Sequence, residues 1–319
     1  MLRLATVLLL LLVCVPTPVH PWGCEGHETI ALLAETHLTS HARKMVHDLL
    51  EGSPADPRMQ RFCHPTARSV MAEASTWADD VRADDASPFH GTGQWHFINI
   101  PRGASPGDLR RFCPARTGCV LTAINHQLAA VRSGRSDRRR VDALRFIIHL
   151  IGDLHQPLHC ATNNDLGGNC VPVTYLGIEP QLSPDHPEDD VYQPNLHTVW
   201  DTSIIRRIME HRSPMWFADF LEHRFQSQLM LWQRKTIDFN QWAWESHQLA
   251  EQRAYGLLPA PIRAERPERV AQCNAMSERI LALHERLTER YQNTAAPVVE
   301  EQLAKAAIRL AMVLNQIWP

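Results

Sequence analysis

The chain has 319 residues, 44% of them hydrophobic and 21% charged, with a formal net charge of −3. This apolar content supports a sizeable core and excludes a wholly disordered protein. The charge balance excludes a broad cationic surface that holds nucleic acid by many phosphate contacts, but leaves room for a local phosphate site. Eighteen histidines stand against three lysines (Lys44, Lys235 and Lys305). Neutral imidazole is the commonest metal ligand, so metal chemistry is an early expectation.

The amino-terminal segment has the pattern of a secretory signal peptide. Arg3 supplies a short basic region, Leu4 to Val15 is apolar but too short to span a bilayer, and Pro16, Thr17 and Pro18 break the run. Residues 1–21 are therefore expected to be removed, leaving a chain that starts at Trp22, although Pro21 is a poor residue for signal peptidase. The protein is expected to be secreted or periplasmic. No later stretch is apolar and long enough for a membrane helix, so no stable membrane association is expected. Export predicts oxidised cysteines. Cys113–Cys119 and Cys160–Cys170 close short loops and are candidate pairs. Cys14 leaves with the signal, and the seven that remain are an odd number, so at least one thiol is left free or intermolecular. No Asn-x-Ser/Thr sequon is present.

Apolar spacings of three and four predict helices over Glu28 to Thr36, Ser40 to Leu50, Val70 to Val81, Leu121 to Val131 and Val141 to Leu154. They continue over Thr198 to His211, Met215 to Leu231, Gln241 to Tyr255, Pro267 to Tyr291 and Val298 to Ile317. Strand-like alternation is confined to Gln94 to Ile100 and Val171 to Leu176. Loops rich in Gly, Pro and Asn cover Gly52 to Arg58, Phe89 to Pro106 and Asn163 to Asn195, the last with an acidic turn at Glu188 to Asp190. No repeat or low-complexity linker appears. The expected fold is mostly α, with residues 22–319 forming a single helical-bundle domain with minor β and loop elements.

The chemistry concentrates in the middle of the chain. His149 and Asp153 are four apart, so a helix places them one turn apart on one face. Pro157 cannot continue that helix, because its ring clashes with the preceding turn. The chain can therefore turn and bring His159 back towards the pair. His197 and Asp201 repeat the same spacing. Such pairs also occur on ordinary surface helices, but here both are flanked by apolar residues, and burying ionisable groups needs a metal or partners. Upstream, Trp77-Ala78-Asp79 carries a carboxylate with Arg82 about one turn away, and Trp95-His96-Phe97 sets a histidine in a short apolar run. Trp22 to His27 opens the mature chain with an amine and an imidazole.

Together these segments, in this order, resemble the secreted, zinc-dependent, single-strand-specific nucleases of fungi, plants and bacteria. The bacterial zinc phospholipases C are more distant relatives of that family. Arg309 to Asn315 is similar to its closing motif, with Ala307 where glycine is common. The resemblance implies a cleft with three zinc ions. One would be held by Asp79, His96, His149 and Asp153, and a second by His159, His197 and Asp201. A third would take the amino nitrogen and carbonyl of Trp22, His27 and the other oxygen of Asp153. It implies water activated between the first and third ions, in-line attack on phosphorus, a departing 3′ oxygen stabilised at the second ion, and 5′-phosphate products. The substrates would be single-stranded DNA and RNA, with 3′-nucleotidase activity besides.

Arg82 is either a clamp on a phosphate oxygen or a salt-bridge partner of Asp80 or Asp84. Asn169 stands where the family has an amide near the base, and Phe97 and Tyr175 are aromatic candidates for stacking, although such residues often belong to a core. The family often carries aspartate where Asn99 stands, and an amide can neither act as a base nor hold a positive charge. His155 is expected to support a ligand rather than be one. Two other readings share the metals: a zinc phospholipase C acting on lipid headgroups, and a non-catalytic secreted zinc-binding protein. A monomer is expected.

Overall fold

The computed structural model describes residues 22–56, 63–64, 69–107, 109–133, 138–183, 191–258, 273 and 286–319. The expected signal segment, the acidic turn Glu188 to Asp190 and most of the expected helix Pro267 to Tyr291 lie outside them.

Helices dominate, and two of them are buried nearly all round. In α1 (Gly23–Thr36) every residue from Gly26 to Ala34 is buried. In α6 (Arg138–Asp153) burial runs unbroken from Val141 to Asp153. A helix without a polar stripe belongs inside a bundle. Accordingly α1 packs against α3 (Val70–Ser75), α9 (Pro214–Trp232) and the long α11 (Glu289–Ile317). Against α6 pack α3, α11 and α5 (Val120–Arg132). By contrast α2 (Ser40–Glu51) is amphipathic: only Ala42, Val46 and Leu50, four apart, are buried. Its first turn is capped by Thr39, whose hydroxyl accepts from Ala42 N. Among the described residues the remaining helices are α4 (Trp77–Ala83), α7 (Leu196–Thr198), α8 (Ile204–Met209) and α10 (Phe239–Leu249).

Sheet is minimal among the described residues. β1 (Thr174–Tyr175) pairs in parallel with β4 (Arg286–Leu287), and β2 (Gln181–Leu182) pairs antiparallel with β3 (Tyr192–Gln193).

Several boundaries differ from the periodicity for identifiable reasons. The helix expected over Val70 to Val81 is broken at Thr76 into α3 and α4. The strand expected over Gln94 to Ile100 is a 3₁₀ turn, Thr92–His96, followed by extended chain hydrogen-bonded to the 159–162 segment. Of the strand expected over Val171 to Leu176, only Thr174–Tyr175 pairs. At the carboxy terminus the described residues 286–287 form β4, and α11 starts at Glu289 and passes straight through Pro297. Proline removes one helical donor, but Tyr291, Gln292 and Ala295 are buried on the near side of it and hold the turn in place.

The disulfides are Cys24–Cys63, Cys113–Cys119 and Cys170–Cys273. The pairing expected for Cys160 with Cys170 is not formed. Among the described cysteines Cys160 is the free thiol; it is buried, and its Sγ donates to Leu154 O at 3.4 Å.

Phe146 anchors the junction of α4, α6 and the 3₁₀ turn. It is fully buried and meets Trp77, Phe89 and Trp95 edge-on, at centroid distances of 5.3, 5.1 and 5.3 Å. Phe146→Ala is expected to remove about 3–5 kcal/mol of stability and to lower the melting temperature by roughly 10 °C. A thermal melt shifted by less than about 2 °C would contradict this packing.

Candidate metal centre

The centre is built where helices end or bend. On α6, His149 Nε2 lies 3.1 Å from Asp153 Oδ2. The helix stops at Asp153, and Pro157 opens a 3₁₀ turn, Pro157–Cys160, that folds His159 back towards it. His159 Nε2 then lies 3.8 Å from Asp201 Oδ1. Asp201 sits in a π turn, Val199–Ser203, which follows α7 and its His197. Wide turns of this kind recur at functional sites. His197 Nε2 is 3.1 Å from Asp201 Oδ2, and the His159 and His197 rings stack at 5.0 Å.

Other elements complete the set. Asp79 of α4 places Oδ1 3.7 Å from His149 Nε2 and 3.6 Å from His96 Nδ1. His96 Nδ1 lies 2.9 Å from Asp153 Oδ2. From α1, His27 Nε2 approaches the opposite oxygen, Asp153 Oδ1, at 3.4 Å, and its ring stacks on His149 at 4.0 Å. Gly152 permits that approach, since a Cβ there would stand 2.9 Å from His27 Nδ1. Trp22 is fully buried, its indole donates to Gly152 O at 2.7 Å, and its backbone nitrogen lies 3.4 Å from Asp201 Oδ1. All nine residues expected to ligate metal therefore meet in one place.

Three of the imidazoles are oriented by carbonyls. Nδ1–H of His149 donates to Ser75 O at 2.7 Å, that of His159 to His96 O at 2.9 Å, and that of His197 to Gly167 O at 2.7 Å. This tautomer turns each Nε2 lone pair inward, as in metal sites generally. Both ring nitrogens of His27, together with His96 Nε2, His159 Nε2 and Asp153 Oδ1, are buried with no hydrogen-bond partner. An unsatisfied buried polar atom costs about 1–3 kcal/mol. Nitrogen and carboxylate donors without thiolate, clustered and unsatisfied, fit zinc.

The electrostatics agree. Burial pulls His27 and His159 below the ordinary histidine range. His96 falls to about 4, first through burial and then through the Arg82 charge. Burial opposes the charged form of His149 too, but the carboxylates of Asp153 and Asp79 outweigh it and push His149 up to about 9. Asp153 is held well below the carboxylate range: burial works against its charged form, and His149 and the other imidazoles prevail.

The remaining expected residues divide. Arg82 pairs with neither Asp80 nor Asp84. Its Nε donates to Asp79 Oδ1 at 2.9 Å, so it grips a residue of the cluster itself. Phe97 is half-buried and Asn99 exposed, and both line a groove beside the centre. Asn169 is not a lining residue of that groove; its amide donates to Leu166 O at 2.9 Å, and Asn164 and Leu166 line the groove from the same loop. Tyr175 is core: it is 4% exposed and its hydroxyl donates to Gln292, leaving no ring face for a base. His155 has both ring nitrogens engaged, with Ile151 O at 2.7 Å and with Arg309 Nη1 at 2.9 Å.

Some supports carry no local signal. Gln156 Nε2 donates to Asp201 Oδ1. Asp165 Oδ1 accepts from Tyr255 Oη at 2.9 Å and from Asn163 N and Gly168 N, both at 3.1 Å, which pins the loop whose Gly167 carbonyl orients His197.

The S1/P1 Nuclease family profile matches residues 22–319. The chain belongs to the S1/P1 nuclease family. Endonuclease 1 of Arabidopsis thaliana is 26% identical over 327 residues, covering 99% of this chain and 93% of the relative. Nuclease S1 of Aspergillus oryzae is 30% identical over 186 residues, 57% of this chain and 54% of its own. Nuclease P1 of Penicillium citrinum is 30% identical over 197 residues, 59% of this chain and 60% of its own. Membership makes this protein a zinc-dependent, single-strand-specific nuclease. Nothing in these relatives favours a phospholipase or a silent zinc-binding protein. The three disulfides fit an extracellular protein, and no described helix is long and apolar enough to cross a membrane.

A member of this family binds zinc through deprotonated ligands. With His149 pushed up to about 9, the metal-free protein still holds that proton at pH 7.5, and zinc must displace it. Titration calorimetry of metal-free protein at pH 7.5 is expected to show zinc-binding enthalpies that depend on the buffer's ionisation enthalpy, with about one proton released at this site. Enthalpies independent of buffer would contradict the assignment.

Proposed function

We propose that the centre holds three zinc ions and cleaves phosphodiester bonds of single-stranded DNA and RNA, leaving 5′-phosphates. One ion would be held by Asp79, His96, His149 and Asp153. The second would be held by His159, His197 and Asp201. The third would take His27, the free oxygen of Asp153, and the amine and carbonyl of Trp22. Removal of residues 1–21 as a secretion signal would free that amine. When bound, zinc lowers the pKa of a coordinated water to roughly 7 and draws charge from a phosphate oxygen.

The observation that carries this reading is the two-sided carboxylate of Asp153. Oδ2 faces His96 and His149, while Oδ1 faces His27 and has no hydrogen-bond partner. One carboxylate thereby serves two cation positions. Arg82, half-buried, orients Asp79 through Nε, and its remaining guanidinium donors would meet a phosphate oxygen. Phe97 and Asn99, on the wall beside His96, would meet an unpaired base. The uncharged amide of Asn99 offers both a donor and an acceptor, so it accepts a wider range of base edges than a carboxylate would. A site recessed among helices takes a splayed strand more readily than a stacked duplex. 3′-Nucleotides are expected as further substrates.

Asp153→Asn is expected to lower bound zinc from about three ions to one or none and to abolish hydrolysis of single-stranded DNA that the unaltered enzyme loses only on chelation. Elemental analysis and a nuclease assay read both effects. Retention of full zinc and full activity would show that Asp153 bridges nothing. Arg82→Ala is expected to cut turnover about 10²-fold in steady-state kinetics, and a loss below threefold would leave Arg82 outside the reaction.

A further inference from the structure

The segments that follow His96 and His159 run side by side as one wall of a groove. Ile98 N donates to His159 O at 2.8 Å, Thr162 N to Ile100 O at 2.9 Å and Arg102 N to Thr162 O at 3.0 Å, which locks the two segments together. The cavity they line has a volume of about 800 Å³. Beyond Phe97 and Asn99 it is bounded by Arg111 and Phe112, in the 3₁₀ turn Leu109–Phe112, and by the disulfide Cys113–Cys119. This rim is fixed in place. Val120 N donates to Phe97 O at 3.0 Å, and Gly118 N closes the turn on Pro114 O at 2.8 Å.

The rim is also cationic. Residues 101–119 contain four arginines (Arg102, Arg110, Arg111, Arg116) against one aspartate (Asp108), on a chain whose net charge is −3. Arg111 is the one of these that lines the cavity. Its guanidinium lies 4.6 Å over the Phe112 ring and donates one hydrogen bond, at 3.3 Å, to Ser105 O. It makes no ion pair with a described carboxylate. A guanidinium braced by a ring and using one donor on a carbonyl retains its other N–H groups for a phosphate.

We propose that this groove is a subsite for the strand beyond the scissile phosphate, with Arg111, braced by Phe112, holding a backbone phosphate of a neighbouring nucleotide. This rests on the nuclease reading above and adds a length preference to it. A mononucleotide reaches the metals and not Arg111, whereas an oligonucleotide reaches both, so Arg111 favours polynucleotide over 3′-nucleotide hydrolysis.

The test compares wild type, Arg111→Ala and Arg110→Ala as full zinc-loaded enzymes. Arg110 carries the same charge but does not line the cavity. Substrates are a 3′-mononucleotide and a single strand of about eight nucleotides. Arg111→Ala is expected to raise KM for the oligonucleotide about tenfold, leaving its kcat and both mononucleotide constants within twofold, with Arg111→Lys recovering part of the loss. Arg110→Ala is expected to change none of them more than twofold. A second arm measures anisotropy of a labelled phosphorothioate strand on chelator-treated protein, without turnover. There Arg111→Ala should weaken binding about tenfold and flatten the slope of log affinity against log salt by about 0.7. Unchanged oligonucleotide binding, equal losses from Arg110→Ala, or a loss shared by the mononucleotide would each overturn the subsite. Absence of hydrolysis by the wild-type enzyme would instead overturn the nuclease reading, and the binding arm would still judge the groove.

Discussion

Five imidazoles and three carboxylates, nearly all withdrawn from water, crowd into one interior space. That arrangement sets the constraint the rest of the structure obeys. Carboxylates that approach one another in low dielectric repel, and each orphaned nitrogen or oxygen forfeits its hydration. Hydrogen bonds among the imidazoles and aspartates answer only part of this. Asp153 is held ionised by the histidines around it, yet its Oδ1 still has no hydrogen-bond partner. Cations at the centre are the partners that such a donor set demands, and zinc suits its chemistry.

The helical scaffold is interrupted where this demand is greatest. Between α3 and α4, the break at Thr76 frees the Ser75 carbonyl from the helical ladder, so that it can orient His149. After α6, Pro157 turns the chain so that His159 returns. The π turn at Val199–Ser203 sets Asp201 where it meets both His159 and His197. Around these breaks the packing is rigid: α1 and α6 are buried almost entirely, and a close contact at Gly152 lets His27 stack on His149. A site assembled from five separate stretches of chain depends on that rigidity, because small displacements of a ligand weaken a metal site severely.

Much of this was legible in the residues. The spacing of His149 with Asp153, the proline before His159 and the repeated spacing at His197 and Asp201 carry a geometric meaning that needs no partner to read. The helices came from apolar periodicity, which is strongest where burial is one-sided, as in α2. What stayed hidden depended on distant contacts. Tyr255 pins Asp165 from 90 residues away, and Cys170 pairs with Cys273 across 103 residues while Cys160, its neighbour in sequence, is turned inward. Tyr175 looked like a platform for a base because aromatic side chains serve both cores and ligands. Only its burial against Gln292 decides between them. For Arg82 the residues left open a phosphate clamp or a salt bridge to Asp80 or Asp84; the helical turn instead aims its Nε at Asp79.

The central claim is that these donors cage three zinc ions around one phosphate. Anomalous diffraction from crystals of the zinc-loaded mature enzyme, recorded at the zinc absorption edge, tests it most directly. The account predicts three peaks, each about 2.0–2.2 Å from its assigned nitrogens and oxygens, with two of them sharing Asp153. A single peak, or peaks lying away from Asp153 and Asp201, would contradict it.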